Sequence, residues 1–163
     1  MAMNFDPKRY LIEVHLNDEF LRISDQSYPV NSCNPSGSGR FHGVGQLAYY
    51  FASGLPTAKA EVYGSPESGL LPHHHAHGAI PGSFQLFDFN LFLDEHPESE
   101  PEYFPGGTQG GWDRCQEMRN HLANDLGCSG VLYPSQKHDG GVNTTLWPLD
   151  GKPLPEQFFR PQS

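Results

Sequence analysis

The sequence predicts a single α/β domain of the α+β type, in which a mixed, mostly antiparallel sheet is flanked by helices. Its 163 residues suit one domain of ordinary size. The 18 glycines and 15 prolines favour strands joined by long loops over a helix bundle. Segments with strand and helix periodicity also follow one another without a regular β-α-β alternation. We therefore treat residues 1–163 as one domain with a proline-rich C-terminal tail.

In the first half of the chain, short runs of β-branched and aromatic residues predict strands. These runs cover residues 8–16, 19–23 and 47–52, of which the first also fits a helix leading into a strand. Alternation places Arg22 on the face opposite Leu21 and Ile23. Residues 24–46 are rich in Asp, Ser, Pro, Asn and Gly, which predicts a loop whose backbone amides can approach an anion. A short helix is expected at 57–63, capped by Ser53 or Thr57.

The second half alternates loops with three further predicted strands and one long helix. The strands are predicted at 83–93, 130–133 and 143–149. Loops are predicted at 64–82, which contains the histidine run His73–His77, and at the acidic and then glycine-rich stretch 94–111. Apolar residues at helical spacing predict an amphipathic helix at 112–126, which Gly127 ends.

Charge and composition exclude several classes of function. With 10 basic and 19 acidic residues the net charge is −9, so nucleic acid is not an expected partner and an anionic ligand needs well-placed arginines. No apolar run reaches the length of a membrane span, and no apolar stretch typical of a signal peptide follows the N-terminal charges. Three cysteines without a C-x-x-C motif argue against a disulfide framework and for a cytoplasmic, reducing environment.

One stretch, Gly39 to Glu61, combines a cation, an aromatic ring and a carboxylate. Arg40 follows a glycine-rich turn, Tyr50 lies in an apolar run, and Glu61 falls on the short predicted helix. We expect the turn, strand and helix to bring these three side chains around one pocket.

An ordered set of motifs extends this pattern over most of the chain. The motifs are Arg22 within L-R-I-S, Gly39-Arg40-Phe41, Tyr50-Phe51-Ala52-Ser53, Thr57-Ala58-x-Ala60-Glu61, Gly130-Val131-Leu132-Tyr133-Pro134-Ser135, and Asn143. In this order they resemble the RES domain, a family named for arginine, glutamate and serine. The resemblance covers roughly residues 19–149, and the Y-P-S sequence ending at Ser135 is its most specific part.

The resemblance implies a fold similar to that of ADP-ribosyltransferases and a toxin that degrades NAD⁺ by hydrolysis or phosphorolysis. It also implies an Xre-type antitoxin or an immunity protein as partner, and delivery into other bacteria for some members. Expected action is in the cytoplasm, with NAD⁺ as substrate and no metal cofactor.

The chemistry of NAD⁺ assigns roles to the matching residues. Arg22 and Arg40 are expected to bind the pyrophosphate, because a guanidinium fits phosphate oxygens. Glu61 is expected to stabilise the oxocarbenium-like ribose left when neutral nicotinamide departs. The Tyr50 ring and hydroxyl are expected to contact nicotinamide, and Ser135 to hydrogen-bond the ligand rather than act as a nucleophile.

Asn143 has two interpretations: it contacts the ligand, or it only begins the last strand. Two other functions also stay open. The same pocket could transfer ADP-ribose to a protein. Alternatively, the chain could be a non-enzymatic module that holds a metal in the His73–His77 loop. Consecutive histidines in a loop point in different directions, and no cysteine or paired carboxylate completes a set at zinc spacing, so the sequence favours no metal site.

Overall fold

The computed structural model describes residues 5–17, 19–33, 37–79, 82–105 and 112–161. Eight strands form one sheet: β1 (Leu11–Leu16), β2 (Phe20–Asp25), β3 (Tyr49–Ser53), β4 (His74–Ala79), β5 (Gly82–Asp88), β6 (Gly130–Pro134), β7 (Val142–Leu146) and β8 (Phe159–Pro161). Four α-helices accompany them: α1 (Leu55–Tyr63), α2 (Phe89–Glu95), α3 (Glu100–Tyr103) and α4 (Asp113–Leu126). Short 3-10 helices occupy Pro7–Tyr10, Pro97–Ser99 and Glu156–Phe158.

The strand order is β1-β5-β6-β7-β3-β2-β4-β8. The β5–β6 pair is parallel and the other neighbours are antiparallel. This confirms the predicted mixed, mostly antiparallel sheet within one α+β domain. Among the described residues, no helix is long and apolar enough to cross a membrane.

The two faces of the sheet carry different cores, because successive side chains of a strand point to opposite sides. On one face, Met118 and Leu122 of α4 pack with an aromatic cluster that includes Phe87 and Tyr133. On the other face, Tyr49 and several apolar residues form a second cluster. Tyr50, the next residue, packs against the first cluster. This alternation gives the consecutive tyrosines different roles.

The sheet forks where β2 and β3 meet. These strands pair only at Phe20–Ser53 and Leu21–Ala52, whereas β3 goes on to pair with β7 along Tyr49–Ala52. Along its other edge, β2 pairs with β4 from Leu21 to Asp25. Helix α1 follows β3 directly. Gly54 precedes the helix and Gly64 ends it, and their φ values of 85° and 80° suit glycine. The fork and this helix shape the cleft described below.

Four predictions of secondary structure need correction. Helix α1 was expected to be capped by Ser53 or Thr57, but it begins earlier, its N-cap is Gly54, and no side-chain hydrogen bond caps it. The strand predicted at 83–93 ends at Asp88, whose side chain accepts hydrogen bonds from the N–H groups of Asn90 and Leu91 and so begins helix α2. The histidine run was predicted as loop, but from His74 onward it forms strand β4, because pairing with β2 satisfies its backbone. Part of the predicted loop 94–111 is helical over residues 97–103, and residues 106–111 lie outside the described ranges.

The other predicted elements are present with shifted ends. The segment 8–16 is a 3-10 helix followed by β1, which was one of its two predicted forms. The proline-rich tail contributes a short edge strand, β8, and the side chain of Phe159 in it is buried. Cys115 and Cys128 are buried and Cys33 is half-buried, and all three are free thiols.

Candidate active site

A cleft of about 310 Å³ opens at the fork between β2 and β3. Its walls come from β2, β3, α1, β6 and β7, and its lining residues are Leu21, Arg22, Ile23, Tyr50, Phe51, Ala52, Ala58, Glu61, Val62, Tyr133 and Asn143. Elements far apart in the chain therefore meet here. The antiparallel pairing explains part of this, because Asn143 lies directly between Ala52 and Tyr133 in the sheet.

The carboxylate of Glu61 is held by two side-chain donors. Its Oε1 accepts a hydrogen bond of 2.7 Å from the hydroxyl of Ser135 and one of 2.9 Å from the amide Nδ2 of Asn143. Glu61 itself is exposed on α1 and faces the cleft. An exposed carboxylate usually gains little from fixed geometry, since water solvates it well. The two side-chain donors on one oxygen therefore fix the orientation of this exposed carboxylate at the wall of the cleft.

Asn143 has one polar atom without a partner. The residue is only 5% exposed, and within the described structure its Oδ1 accepts no hydrogen bond. Leaving a buried acceptor unpaired costs about 1–3 kcal/mol. Asn143 lines the cleft, and its Oδ1 is a buried, unpaired acceptor beside the Nδ2 that donates to Glu61.

Ser135 is oriented by the turn that follows β6. Its hydroxyl oxygen accepts hydrogen bonds from the N–H groups of Lys137 and His138, at 3.2 and 3.1 Å, while its proton goes to Glu61. His138 in turn is paired through Nδ1 with the hydroxyl of buried Thr57 on α1, at 2.8 Å. The hydroxyl of Ser135 is therefore a donor to Glu61, and in the part of the chain that the structure describes no histidine ring hydrogen-bonds it as a general base would.

The Tyr50 hydroxyl is used inside the protein. It accepts a 2.9 Å hydrogen bond from the N–H of Phe41 and pairs at 2.8 Å with Nδ1 of His42. Burial raises the pKa of Tyr50. At Gly39 a Cβ would lie 2.7 Å from this hydroxyl, so the turn requires glycine. The Tyr50 ring lines the cleft, while its hydroxyl fixes the turn that carries Arg40.

Arg22 borders the cleft where the strands separate, and its guanidinium is anchored to backbone. It donates to the carbonyls of Val30 and Ser32, at 2.8 and 2.7 Å, and lies over the rings of Tyr49 and Phe159. Burial lowers its pKa. These rings belong to the core on the face opposite Tyr50. The guanidinium of Arg22 and the carboxylate of Glu61 are therefore held by different faces of the sheet.

Arg40 lies beside the turn that carries Ser135. It donates to the carbonyl of Tyr103 at 3.2 Å and to Oε1 of Gln136 at 2.9 Å, and it stacks over the ring of Phe104. It is not among the lining residues of the cleft. In the described parts of the chain, neither Arg22 nor Arg40 forms an ion pair with a carboxylate.

Of the residues predicted for the site, the structure brings Glu61, Ser135 and Asn143 into direct contact and adds the Tyr50 ring to the same cleft. Arg22 borders this cleft, and Arg40 lies behind the Ser135 turn. Sequence reasoning missed the supporting roles of His42 and His138, and it expected Thr57 only as a motif residue and a helix cap. The contact between Thr57 and His138 has no local signal, because it joins positions 81 residues apart.

Comparison with known proteins bears on the fold and the family. A search of curated proteins found no match. Among solved structures, the fold is similar to a chain in the crystal structure of the M. tuberculosis MbcT-MbcA toxin-antitoxin complex. The TM-score is 0.69 at 20% identity, and the match covers 96% of this chain and 86% of that chain. This likeness concerns the fold. The family model described as RES domain matches residues 19–160, nearly the whole chain, and the protein therefore belongs to the RES domain family.

Proposed function

We propose that this protein is a toxin that cleaves the bond between nicotinamide and ribose in NAD⁺, as a glycohydrolase or a phosphorylase. The observation that carries the proposal is the Glu61 carboxylate, fixed by Ser135 and Asn143 at the wall of the cleft. Membership of the RES domain family supports it.

The chemistry requires little more than this carboxylate and a shaped cleft. The nicotinamide of NAD⁺ is cationic and leaves as a neutral molecule, so its departure needs no general acid. Positive charge then develops on the ribose, and a fixed carboxylate beside it lowers the barrier. Because both donors share Oε1, the other oxygen of Glu61 is available to the ribose hydroxyls. The C1–N bond breaks with its electron pair going to nicotinamide, and water or phosphate forms the new bond to C1.

Tyr50 and Asn143 would position the substrate. The Tyr50 ring offers an aromatic face to the nicotinamide, and its hydroxyl stays with the 39–42 turn. The unpaired Oδ1 of Asn143 would accept from a ribose hydroxyl or from the carboxamide. This oxygen is shielded from solvent, so the ligand would reach it after a rotation of the Asn143 side chain.

The two arginines would supply the positive charge that a pyrophosphate needs on a protein of net charge −9. Arg22 places its charge at the fork, and Arg40 places its charge behind the Ser135 turn. Each guanidinium retains N–H groups beyond those given to the protein acceptors named above. Arg22 would act through its charge and by holding a wall of the cleft, and Arg40 would act through its charge from behind the Ser135 turn.

Product analysis of purified protein with NAD⁺ tests the proposal directly. We expect release of nicotinamide in the absence of any acceptor protein. ADP-ribose as product would identify hydrolysis, and a phosphate-dependent ADP-ribose phosphate would identify phosphorolysis. No loss of NAD⁺, with or without phosphate, would contradict the proposal. If ADP-ribose instead appeared only on an added protein, the protein ADP-ribosyltransferase alternative would replace it.

A toxin of this kind requires a neutralising partner in the cell that makes it, and we propose an antitoxin or immunity protein of Xre type or similar. The similar fold occurs in a structure described as a toxin-antitoxin complex.

Growth arrest on expression, accompanied by a fall in cellular NAD⁺ and relieved by Glu61→Gln, is the expected phenotype of the proposed toxin. Arrest that persists in the Glu61→Gln strain would contradict this assignment.

A further inference from the structure

We propose that Asp25, His73 and His74 form a binding site for a divalent transition metal, with Zn²⁺ as the preferred ion. This group of residues plays no part in the NAD⁺ chemistry above. One ligand atom from each of the three lies within 4.8 Å of the other two. The sequence offered the His73–His77 run as a possible metal ligand set but did not indicate Asp25, because this carboxylate comes from β2, far from the histidines in the chain.

Strand pairing brings the three residues together. Asp25 and His74 are direct partners in the antiparallel β2–β4 ladder, so their side chains project from the same face. His73 precedes the strand, and its carbonyl accepts a 2.9 Å hydrogen bond from the N–H of Gln26. Its Nε2 lies 3.8 Å from Oδ2 of Asp25, and its ring lies 4.6 Å from that of His74. From the sequence, consecutive histidines in a loop are expected to point in different directions. The backbone hydrogen bonds to β2 instead hold His73 and His74 beside Asp25.

Two of the three ligands are oriented by neighbours. Oδ1 of Asp25 accepts a 2.8 Å hydrogen bond from the N–H of Ser27, which leaves Oδ2 directed towards His73. Nδ1 of His74 is paired at 2.6 Å with the hydroxyl of Tyr63, and the two rings are stacked 12° from parallel. Partners of this kind fix the orientation of metal ligands and strengthen binding.

The geometry needs only a small closure to accept the ion. Bonds of about 2.0–2.2 Å in a tetrahedral zinc site place ligand atoms roughly 3.3–3.5 Å apart. His73 is more than half exposed and can supply this movement by rotation of its side chain. Two imidazoles and one carboxylate suit zinc and its neighbours, whereas Mg²⁺ and Ca²⁺ prefer oxygen ligands. Three protein ligands leave at least one position for water.

The proposed site joins elements that also build the cleft. Tyr63 lies at the end of α1, two residues beyond Glu61, and Asp25 lies two residues beyond the cleft residue Ile23. A bound ion would tie the end of β2 to the start of β4 and, through Tyr63, to the helix that carries Glu61. Because it binds the folded protein, it would also raise the stability of the domain.

Calorimetric titration of untagged, chelator-treated protein with ZnCl₂ tests the site. We expect one Zn²⁺ per chain with micromolar affinity or tighter, and a rise in melting temperature on addition of the ion. Asp25→Asn and His74→Ala should each weaken binding by at least about 10-fold, and Tyr63→Phe by about 10-fold as well. Asp25→Asn keeps the shape of the side chain, so it remains informative if His74→Ala does not fold.

Two matched controls separate this site from general histidine binding. His75 is next to His74 but projects from the other face of β4, and His121 pairs with Asp125 on α4 without a third ligand. His75→Ala and His121→Ala should bind Zn²⁺ like the unmodified chain. The proposal is overturned if no saturable binding occurs, if Asp25→Asn binds normally, or if His75→Ala loses as much affinity as His74→Ala. None of these outcomes depends on NAD⁺ cleavage.

Discussion

Ser135 donates a 2.7 Å hydrogen bond to Glu61, although 74 positions separate the two residues in the chain. The turn after β6 and the exposed face of helix α1 meet through this contact. The same carboxylate oxygen also accepts from Asn143 of β7. Helix α1, the turn after β6 and strand β7 therefore meet at one carboxylate.

Replacing Glu61 by glutamine should reduce NAD⁺ cleavage by at least about 10³-fold, because a neutral amide does not stabilise a developing cation. The Oε1 acceptor for Ser135 and Asn143 is retained, so folding should be unchanged. Rates of nicotinamide release and thermal unfolding curves measure the two effects. Glu67→Gln is the matched control, since Glu67 is an exposed carboxylate outside the cleft and should keep full activity. Full turnover by Glu61→Gln would refute the role given to this residue.

Asn143→Ala should affect catalysis more than stability. The substitution removes a donor to Glu61 and a ligand acceptor, and we expect a loss of about 10–100-fold in kcat/KM. It also removes an unpaired buried Oδ1, so the free energy of unfolding should fall by less than about 1 kcal/mol. Enzyme kinetics measure the loss in kcat/KM, and urea denaturation measures the change in the free energy of unfolding. Asn120→Ala, which removes an exposed amide on α4, serves as the control. A variant with normal kcat/KM but much lower stability would show that Asn143 is structural.

Arg22→Lys tests whether this arginine acts through charge alone. Lysine keeps the charge but lacks the planar fork that reaches the carbonyls of Val30 and Ser32. We expect the free energy of unfolding to fall by about 1–3 kcal/mol and KM for NAD⁺ to rise. Arg160→Lys, at an exposed position on β8, should change neither quantity. If Arg22→Lys matches the unmodified protein in both measurements, the hydrogen bonds from Arg22 to residues 30–32 contribute neither to stability nor to NAD⁺ binding.

Gly39→Ala should destabilise the turn that carries Arg40. The added Cβ would lie 2.6 Å from Cε1 of His42 and 2.7 Å from the Tyr50 hydroxyl, closer than packed atoms allow. Overpacking of this kind costs about 1–3 kcal/mol. Denaturation curves measure the loss, with Gly69→Ala as a control at a position with open space. Equal stability of the two variants would contradict the tight contact with Tyr50.

Stability should fall as the pH drops below the ordinary histidine pKa of 6.5. Burial, and secondarily the charge of Arg119, lowers the pKa of His42 in the folded state. Burial also lowers the pKa of His77, assisted by His75 and Arg22. The unfolded chain then binds more protons than the folded one below about pH 6.5, so the stabilisation is complete above this pH and is lost as the pH falls towards the folded-state pKa values. Denaturant midpoints between about pH 7.5 and 5 measure the loss.

His42→Gln should make that pH dependence shallower, because it removes one of the two titrating groups. His15→Gln is the control: His15 is an exposed histidine on β1, away from the cleft. A midpoint that stays constant, or rises, as the solution is acidified would contradict the assignment.

Much of the fold followed from local patterns. Short runs of β-branched and aromatic residues located the strands that contain Arg22 and Tyr50, and helical spacing with a terminal Gly127 located α4. The errors occurred where a single residue or a distant partner decided the structure. Asp88 converted the end of an alternating run into a helix start, and pairing with β2 made a strand of the histidine run.

The sequence by itself determined which residue types were available for the candidate site, because Tyr50, Glu61, Ser135 and Asn143 stand in an order that resembles the RES domain, and the family model confirms the family. Only the tertiary structure decided how they meet. Hydrogen bonds between distant segments place Ser135 and Asn143 on one oxygen of Glu61, turn the Tyr50 hydroxyl away to the 39–42 turn, and anchor Arg22 to a loop. Sheet register likewise joined Asp25 to His74. Such contacts depend on strand order and pairing, which no local window of sequence contains.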